Sequence, residues 1–278
     1  MKKILVVFNG AQFPYHVLEQ AITMAVGDNS LLVGVFLRPP LPSETVYPFL
    51  NDLALTGSGY YVRDATSDEA AIIKTNITLF KDTCNTNNVN HTVHLDKGTP
   101  TPELLKESMF ADLVVIDAKA DLYDVSSILL SSSLREFLAD SHCPVLVVHE
   151  KAQLLEKVVL AYDGSVSSIH AIKMFSYLFP HLRNLPTYLV SATEGSVDDV
   201  PHSANINALL GLHFTNVHTV VLQGDAKVAL STYLAADNFN GIAVMGAYGR
   251  NAVSRLLKQS LANHIISQTK VPLFITHQ

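Results

Sequence analysis

Several features that mark large classes of protein are scarce in this sequence. Only two cysteines occur in 278 residues, and Cys84 and Cys143 show neither the spacing of a disulfide framework nor that of a zinc site. No apolar run approaches the roughly 18 residues of a membrane-spanning helix. The run Ile4–Phe8 near the N-terminus is too short for the core of a signal peptide. We therefore expect a cytoplasmic protein with free thiols and no membrane partner.

Charge is scarce as well, and its sign disfavours a nucleic-acid partner. Charged residues are 16% of the chain and the net charge is −6, whereas 48% of the residues are hydrophobic, which is ample for a core. The 12 histidines form no cluster at zinc spacing, and His91 and His94 would face opposite sides of a strand. We expect no metal site of the protein's own. Local spacing shows no Ser/His/Asp arrangement and no paired carboxylates, so no catalytic residues are predicted.

What the sequence does contain is an internal repeat. The segment KILVVFNG that begins at Lys3 returns as KVVLAYDG at Lys157, an offset of 154 residues. Near the end of each half, CPVLVVHE from Cys143 returns as VPLFITHQ from Val271, an offset of 128. The two halves therefore follow one pattern, and the first half carries about 26 additional residues.

The additional residues and the boundary between the halves follow from composition. Arg38–Thr66 is rich in proline, glycine and tyrosine, which is typical of a loop. The stretch HEKAQLLEK puts the boundary near Lys151, so we predict domains over residues 1–150 and 151–278. One role open to the inserted loop is contact with a partner protein.

Each half alternates short apolar runs with helical patterns. Most runs are continuously apolar, which is typical of parallel strands covered on both faces. In one predicted helix, Ile73, Ile77, Phe80 and Cys84 lie on a single stripe. We predict two doubly wound five-stranded α/β domains, packed as an intramolecular pseudo-dimer through their last strands. The predicted strands are Ile4–Phe8, Leu31–Phe36, Thr92–Leu95, Leu113–Ile116, Val145–Val148, Val158–Tyr162, Thr187–Ala192, Val217–Leu222, Ile242–Met245 and Leu273–Thr276.

The strand ends of the second half carry residues suited to a nucleotide, because ligands bind such sheets beyond the carboxyl ends of strands. Asp163 follows the first strand, where a carboxylate can accept hydrogen bonds from a base amino group or a ribose hydroxyl. Gly246 and Gly249 follow the fourth strand and let backbone N–H groups approach phosphate. Ser260 would begin the last helix, whose first N–H groups favour an anion. Each feature has a structural alternative, a turn or a helix cap, but their combination predicts ligand binding.

The loops after the two fourth strands differ in charge. Residues 246–260 contain three bases and no acid, a local charge of +3. The equivalent residues 117–132 contain three acids and one lysine, a net charge of −2, and Asp117 stands where the second half has Gly246. Asn9 replaces the strand-one aspartate. The first half is therefore predicted to bind no triphosphate and to supply an interface.

These residues resemble the ATP-binding loop of the universal stress protein family, in its tandem form. ATP-binding members carry a strand-one aspartate and the loop G-x-x-G-x9-G-[ST], which Asp163, Gly246, Gly249 and Ser260 match. The motif is neither a Walker A loop nor a dinucleotide fingerprint. The resemblance covers nearly all of both halves and implies an adenine-nucleotide alpha-hydrolase-like fold, a stress-linked regulatory role, and ATP with Mg²⁺ as ligand. The nucleotide-binding residues it implies are Ala161, Asp163, Val190, Met245, Gly246, Gly249, Gln259, Ser260 and Leu261.

Gln259 departs from the family loop, which has its final glycine there. If the position needs a positive φ, glutamine costs roughly 1 kcal/mol, and its side chain could fill space meant for phosphate. Its amide could also donate to a phosphate oxygen. The equivalent residue of the first half is Ser131, and Ser133 with Glu136 fits a capping box there. We expect binding that is weakened but retained.

Three functions therefore compete at this point. The first is a universal stress-type protein that binds an adenine nucleotide in its C-terminal half. The second is a nucleotide-free scaffold that uses the same fold to contact an unknown protein, and a further homodimer is open to either. The third, slow ATP hydrolysis, lacks any candidate base or water-positioning residue in the loop. A titration with ATP, ADP and AMP would separate the first from the second.

Overall fold

The computed structural model describes ten stretches of the chain, which leave out several loops named above. Residues 39–64 of the inserted loop, the boundary residues 151–154 and the loop 247–260 lie outside these stretches. The domain boundary near residue 150 therefore stays a prediction. The described residues are 2–9, 12–25, 29–38, 65–97, 99–120, 131–150, 155–195, 200–236, 239–246 and 261–276.

Every strand predicted from an apolar run is present, with each end within two residues of the prediction. The first strand shows why the runs are continuous. Ile4, Val6 and Phe8 pack into the core on one face of the sheet, and Leu5 and Val7 into the core on the other face. The strands are β1 (Lys3–Asn9), β2 (Leu31–Arg38), β3 (Asn90–Lys97), β4 (Leu113–Asp117), β5 (Val145–Val148), β6 (Lys157–Ala161), β7 (Thr187–Thr193), β8 (Val217–Gln223), β9 (Gly241–Gly246) and β10 (Leu273–Thr276).

Helices cover both faces of the sheet. The helices are α1 (Tyr15–Ala25), α2 (Ala65–Thr86), α3 (Pro100–Ser108), α4 (Ser132–Asp140), α5 (Val166–Leu178), α6 (Ser203–His213), α7 (Ala226–Leu234) and α8 (261–268). Buried residues of α1, α2, α5 and α6 join one core, and those of α3, α4, α7 and α8 join the other. The predicted stripe on α2 is confirmed, because Ile73, Phe80 and Cys84 are buried and Ile77 packs against the same core.

All ten strands form one sheet in the order β3-β2-β1-β4-β5-β10-β9-β6-β7-β8. Counted from either edge of the sheet toward its centre, the strands of each half follow the order third, second, first, fourth, fifth. A pseudo-twofold arrangement of the two halves requires this symmetry. β5 and β10 pair antiparallel, with Leu146 opposite Phe274. Both strands are fully buried, so the apolar edge of each half is covered by the other. The predicted fold class and the pairing through the last strands are confirmed.

The capping prediction for the last helix of the first half was wrong. α4 begins at Ser132, and its N-cap is Ser131, whose Oγ accepts a hydrogen bond from the Leu134 N–H at 3.1 Å. Ser133 is already inside the first turn, so Glu136 is not at the third helical position that a capping box requires. Three consecutive serines made each a plausible cap by sequence, and the hydrogen bond to Leu134 identifies the one used.

Candidate functional site

The strand order of the second half reverses between β6 and β9. From β6 the chain passes to β7 and then β8 on one side, and it next crosses to β9 on the other side of β6. Ligands of doubly wound sheets bind at such a reversal, beyond the carboxyl ends of the strands. Asp163 follows β6 by two residues, and Gly246 is the last residue of β9. Both predicted residues therefore flank the reversal.

A cleft opens at this place, and six of the nine residues predicted from the sequence line it. They come from three neighbouring strands, from the turn after β6 and from the first described residue of α8. Gly249, Gln259 and Ser260 lie outside the described residues. The six are Ala161, Asp163, Val190, Met245, Gly246 and Leu261. Their nucleotide-binding role stays a prediction.

Five further residues line the cleft and were missed by sequence reasoning. Ala192 lies two residues after Val190 on β7, and side chains two apart point to the same face of a strand. Ala226 and Leu230 are four apart on α7 and so share one face of that helix. Both signals were readable from the sequence once β7 and α7 had been assigned. The five are Tyr162, Ser168, Ala192, Ala226 and Leu230.

The turn that carries Asp163 is rigidly built. The Ser165 N–H donates to Asp163 Oδ1 at 3.0 Å, and Ser165 in turn caps α5. Gly164 has φ +74°, and a Cβ on it would lie 2.6 Å from the Cβ of Pro201, so only glycine fits this turn. Asp163 thus has the structural role expected of a turn residue, while its side chain is exposed at the cleft.

Tyr162 fixes the wall beside that turn. The residue is 3% exposed, and its hydroxyl donates to the Pro201 carbonyl at 2.8 Å. Burial, and to a lesser extent the nearby Asp163 carboxylate, raises the pKa of Tyr162 above its ordinary value. The phenol therefore remains protonated and keeps donating this hydrogen bond at neutral pH.

Gly246 has a packing role that the sequence did not reveal. A Cβ on this residue would lie 2.7 Å from the Ser168 backbone nitrogen and closer still to the Ser167 carbonyl oxygen. The first turn of α5 therefore crosses directly over the end of β9, and only the absence of a side chain permits this approach. Glycine at position 246 therefore lets α5 pack closely against the sheet next to the cleft. This packing role is independent of any contact with a phosphate.

In the first half, the contact between the end of the fourth strand and the start of the first helix is built differently. Asp117, the residue aligned with Gly246, carries its Oδ2 3.1 Å from His16 Nε2, an ion-pair distance whose geometry does not meet that of a hydrogen bond. Its Oδ1 accepts a hydrogen bond from the Lys119 N–H at 2.8 Å. Phe13 stacks on Phe8 with ring centroids 4.9 Å apart, and α1 begins only after it. A side chain fits at Asp117 because no helical turn crosses the strand end there.

The first half also bears on the expected strain at Gln259. Its repeat partner Ser131 has φ −64° and ψ 154°, which any residue adopts. The equivalent position in the first half therefore does not require glycine. The repeat gives no support to the argument that glutamine is strained at position 259, so the size of its side chain remains as the reason to expect weakened binding.

The described histidines face different surroundings rather than one centre. His91 stacks edge-on against Phe80 of α2, whereas His94 Nδ1 lies 2.9 Å from a carboxylate oxygen of Glu107 on α3, so the two face opposite sides of β3 as predicted. Among the described residues, no three His, Cys, Asp or Glu side chains are arranged to hold a metal ion. None of the helices in the described stretches combines the length and hydropathy needed to cross a membrane.

Comparison with known proteins identifies the family. A family model described as the universal stress protein family matches residues 1–149, just over half of the chain. The chain belongs to the universal stress protein family. The match lies in the half that lacks the glycine loop, so membership does not depend on the nucleotide motif.

Relatives outside the family model agree with this assignment. A curated universal stress protein of Synechocystis sp. is 25% identical over 166 residues, which span 58% of this chain and 56% of that relative, so the chain matches little more than half of its length. A universal stress protein from Archaeoglobus fulgidus has a TM-score of 0.72 at 16% identity, covering 100% of this chain and 96% of that one. A functionally unknown protein from Pseudomonas aeruginosa has a TM-score of 0.61 at 16% identity, covering 100% and 92%. At this identity the solved structures show a shared fold.

Proposed function

We propose that the second half of this universal stress protein binds an adenine nucleotide, ATP, in the cleft at the strand-order reversal. The observation that carries the proposal is that six of nine residues chosen from sequence alone line one cleft there. The cleft lies where doubly wound sheets bind their ligands, between the carboxyl ends of β6 and β9.

The walls of the cleft suit a nucleoside. Val190, Met245 and Leu230 offer apolar surface to the faces of a base, and the small side chain of Ala192 leaves room between them. The Asp163 carboxylate at the rim accepts hydrogen bonds from a base amino group or a ribose hydroxyl. Mostly apolar walls with a carboxylate at the rim favour a flat, partly polar ring over a sugar or a peptide.

The phosphate side rests on the chain around α8. Leu261, the first described residue of α8, lines the cleft, so the N-terminal end of this helix is turned toward a ligand. Helix N-termini favour anions because their first N–H groups have no partner within the helix. The loop from 246 to 260 adds three bases and no acid by sequence. A nucleotide with its phosphates toward this loop satisfies both features, and Mg²⁺ would accompany a triphosphate.

One observation favours the scaffold function instead. Gly246 is needed for the packing of α5 against β9, so its presence is explained without any phosphate. A universal stress protein that had stopped binding nucleotide would keep this glycine for its fold. The glycine therefore cannot serve as the test. Asp163 can, provided that circular dichroism shows the variant to be folded, because its carboxylate also accepts the Ser165 N–H in the turn.

Calorimetric titration with ATP, ADP and AMP in the presence of Mg²⁺ tests the proposal. Asp163→Ala should weaken ATP binding by about 1–3 kcal/mol, the loss expected for a hydrogen bond to a charged group, or roughly 5- to 150-fold. Ala192→Leu should abolish binding by filling the cleft. Asn9→Ala, the matched change in the first half, should leave the affinity unchanged. Absence of binding by the parent, or an Asp163→Ala variant that binds as the parent does, would favour the scaffold.

A further inference from the structure

A side chain of the first half reaches the helix that borders the cleft. His149 follows β5 directly, and its Nε2 lies 2.9 Å from the Ile266 carbonyl oxygen of α8. We infer that His149 is a positioning residue for the nucleotide site of the other half, and that it acts by holding α8 through this contact. The inference rests on the proposed function for the site. It goes beyond that function because the positioning residue belongs to the first half, which is predicted to bind no nucleotide.

The contact fits the needs of a helix end. Ile266 is among the last residues of α8, whose carbonyl groups lack partners within the helix. A carbonyl oxygen only accepts hydrogen bonds, so the hydrogen must lie on His149 Nε2 and the neutral ring has its lone pair on Nδ1. That Nδ1 is buried and has no hydrogen-bond partner among the described residues. The pocket around His149 therefore accommodates the neutral ring, with one donor and one unused acceptor.

α8 connects this contact to the cleft. Leu261 lines the cleft, and Ile266 lies five residues further along, about 7.5 Å at the rise of an α-helix. Between them Ala262 and Ile265 are fully buried against the sheet. Because the helix is short and packed along its length, we expect a change at Ile266 to be transmitted to its end at the cleft.

The charged groups around His149 come from the first half. Asp117 and Lys119 at the end of β4 and His16 on α1 act on it, and the neighbouring Glu150 is paired with Lys119. Burial lowers the pKa of His149 below its ordinary value; the Ile266 contact and Asp117 act in the opposite sense, and His16 and Lys119 lower it further. Protonation would place a second N–H at the buried Nδ1, where no acceptor waits.

The direction of the pH effect follows. Above the ordinary histidine pKa near 6.5, His149 is neutral in folded and unfolded chain, and the contact is at full strength. As the pH falls below that value, the unfolded chain gains a proton that the folded protein resists, so stability is lost down to the lower folded pKa. In this window the folded protein keeps the neutral ring and its contact with α8, so the free energy of unfolding should fall in mild acid through the unfolded chain, while ATP affinity depends on the contact itself.

The test compares three residues at position 149 at two pH values. ATP dissociation constants are measured at pH 7.5, and free energies of unfolding at pH 7.5 and 5.5, for the parent, His149→Gln and His149→Leu. A glutamine amide can donate to the Ile266 carbonyl and does not titrate, so this variant should bind close to the parent and lose less stability between the two pH values. Leucine cannot donate, so its variant should bind several-fold more weakly.

His170→Gln supplies the matched control. His170 is a second half-buried histidine whose pKa is lowered by burial, and it lies on α5 rather than against α8. This variant should bind ATP as the parent does. The inference fails if His149→Gln binds as weakly as His149→Leu, or if His149→Leu binds as tightly as the parent.

Amide hydrogen exchange separates this inference from the proposed function. The Thr269 N–H donates to the Ile265 carbonyl at 2.9 Å and reports on the end of α8 without any nucleotide. At pH 7.5 it should exchange faster in His149→Leu than in the parent and at the parental rate in His149→Gln. If no variant binds ATP, the proposed function falls, and equal exchange in all three proteins would then overturn the role of His149 as well.

Discussion

Replacing Gly246 with alanine should destabilise the protein through one identifiable overlap. The added methyl group would lie 2.7 Å from the Ser168 nitrogen and nearer to the Ser167 carbonyl, whereas real Cβ atoms essentially never approach below 3.0 Å. Both obstacles are backbone atoms of the first turn of α5, so no side-chain rotation relieves them. Either α5 or the end of β9 must shift, and overpacking of this kind costs about 1–3 kcal/mol.

The assay is thermal unfolding followed by circular dichroism. A loss of 1–3 kcal/mol corresponds to a midpoint lower by roughly 2–12 °C at the usual 2–4 °C per kcal/mol. Gly211→Ala is the matched control, because a Cβ there has no neighbour within 4 Å and alanine is favoured in a helix by up to about 1 kcal/mol. The control midpoint should be unchanged or higher. A Gly246→Ala protein as stable as its parent would show that α5 does not press on β9, and the packing explanation of this glycine would be wrong.

Three shorter predictions concern other parts of the chain. Gln259→Gly should tighten ATP binding by up to about tenfold, because it removes a side chain from the expected phosphate side. Ser131→Gly should confer no binding, because the first-half loop is acidic. Calorimetric titration of both variants with ATP tests the two expectations. Burial raises the pKa of Cys84 and Cys143 to about 12, so below pH 9 both thiols should react with a maleimide only after unfolding, and fast reaction of the native protein would contradict this. Tyr162→Phe should lower the free energy of unfolding by about 1 kcal/mol, measured in urea, because it leaves a loop carbonyl without its donor.

Hydrophobic pattern was enough to predict the sheet. Most strands are buried on both faces and appear in the sequence as continuous apolar runs. The edge strands β3 and β8 are more exposed, and for them the repeat of the pattern in the other half supplied the second indication. The pairing of β5 with β10 was predictable for a related reason, because both runs end their half as an edge too apolar to remain uncovered. Both predictions depend only on which segments are buried, and the pattern of apolar residues in the sequence indicates burial.

The packing role of Gly246 and the cap of α4 could not be predicted from the sequence, because both depend on how closely separate backbone segments approach each other. The glycine at 246 was read as a place for phosphate, and its contact with the first turn of α5 could be seen only when the helix and the strand end were both placed. The cap of α4 was missed for a similar reason, since three serines in a row offer the same chemistry and the hydrogen bond to Leu134 selects Ser131. Six site residues were found because the family resemblance implied them, and four of the six lie at or just after strand ends that the apolar pattern fixes.

The contrast between the halves follows from the start of one helix. α5 begins at Val166, whereas α1 begins at Tyr15, whose repeat partner lies three residues after Val166. The second half therefore has an extra early turn that presses on the end of β9 and demands glycine at 246. The first half lacks that turn, so Asp117 fits, lies near His16 and brings a negative charge to the place where a phosphate would lie. Aspartate at 117 and the later start of α1 are consequently parts of one packing arrangement, and exchanging either alone for its counterpart in the second half would leave a void or a clash.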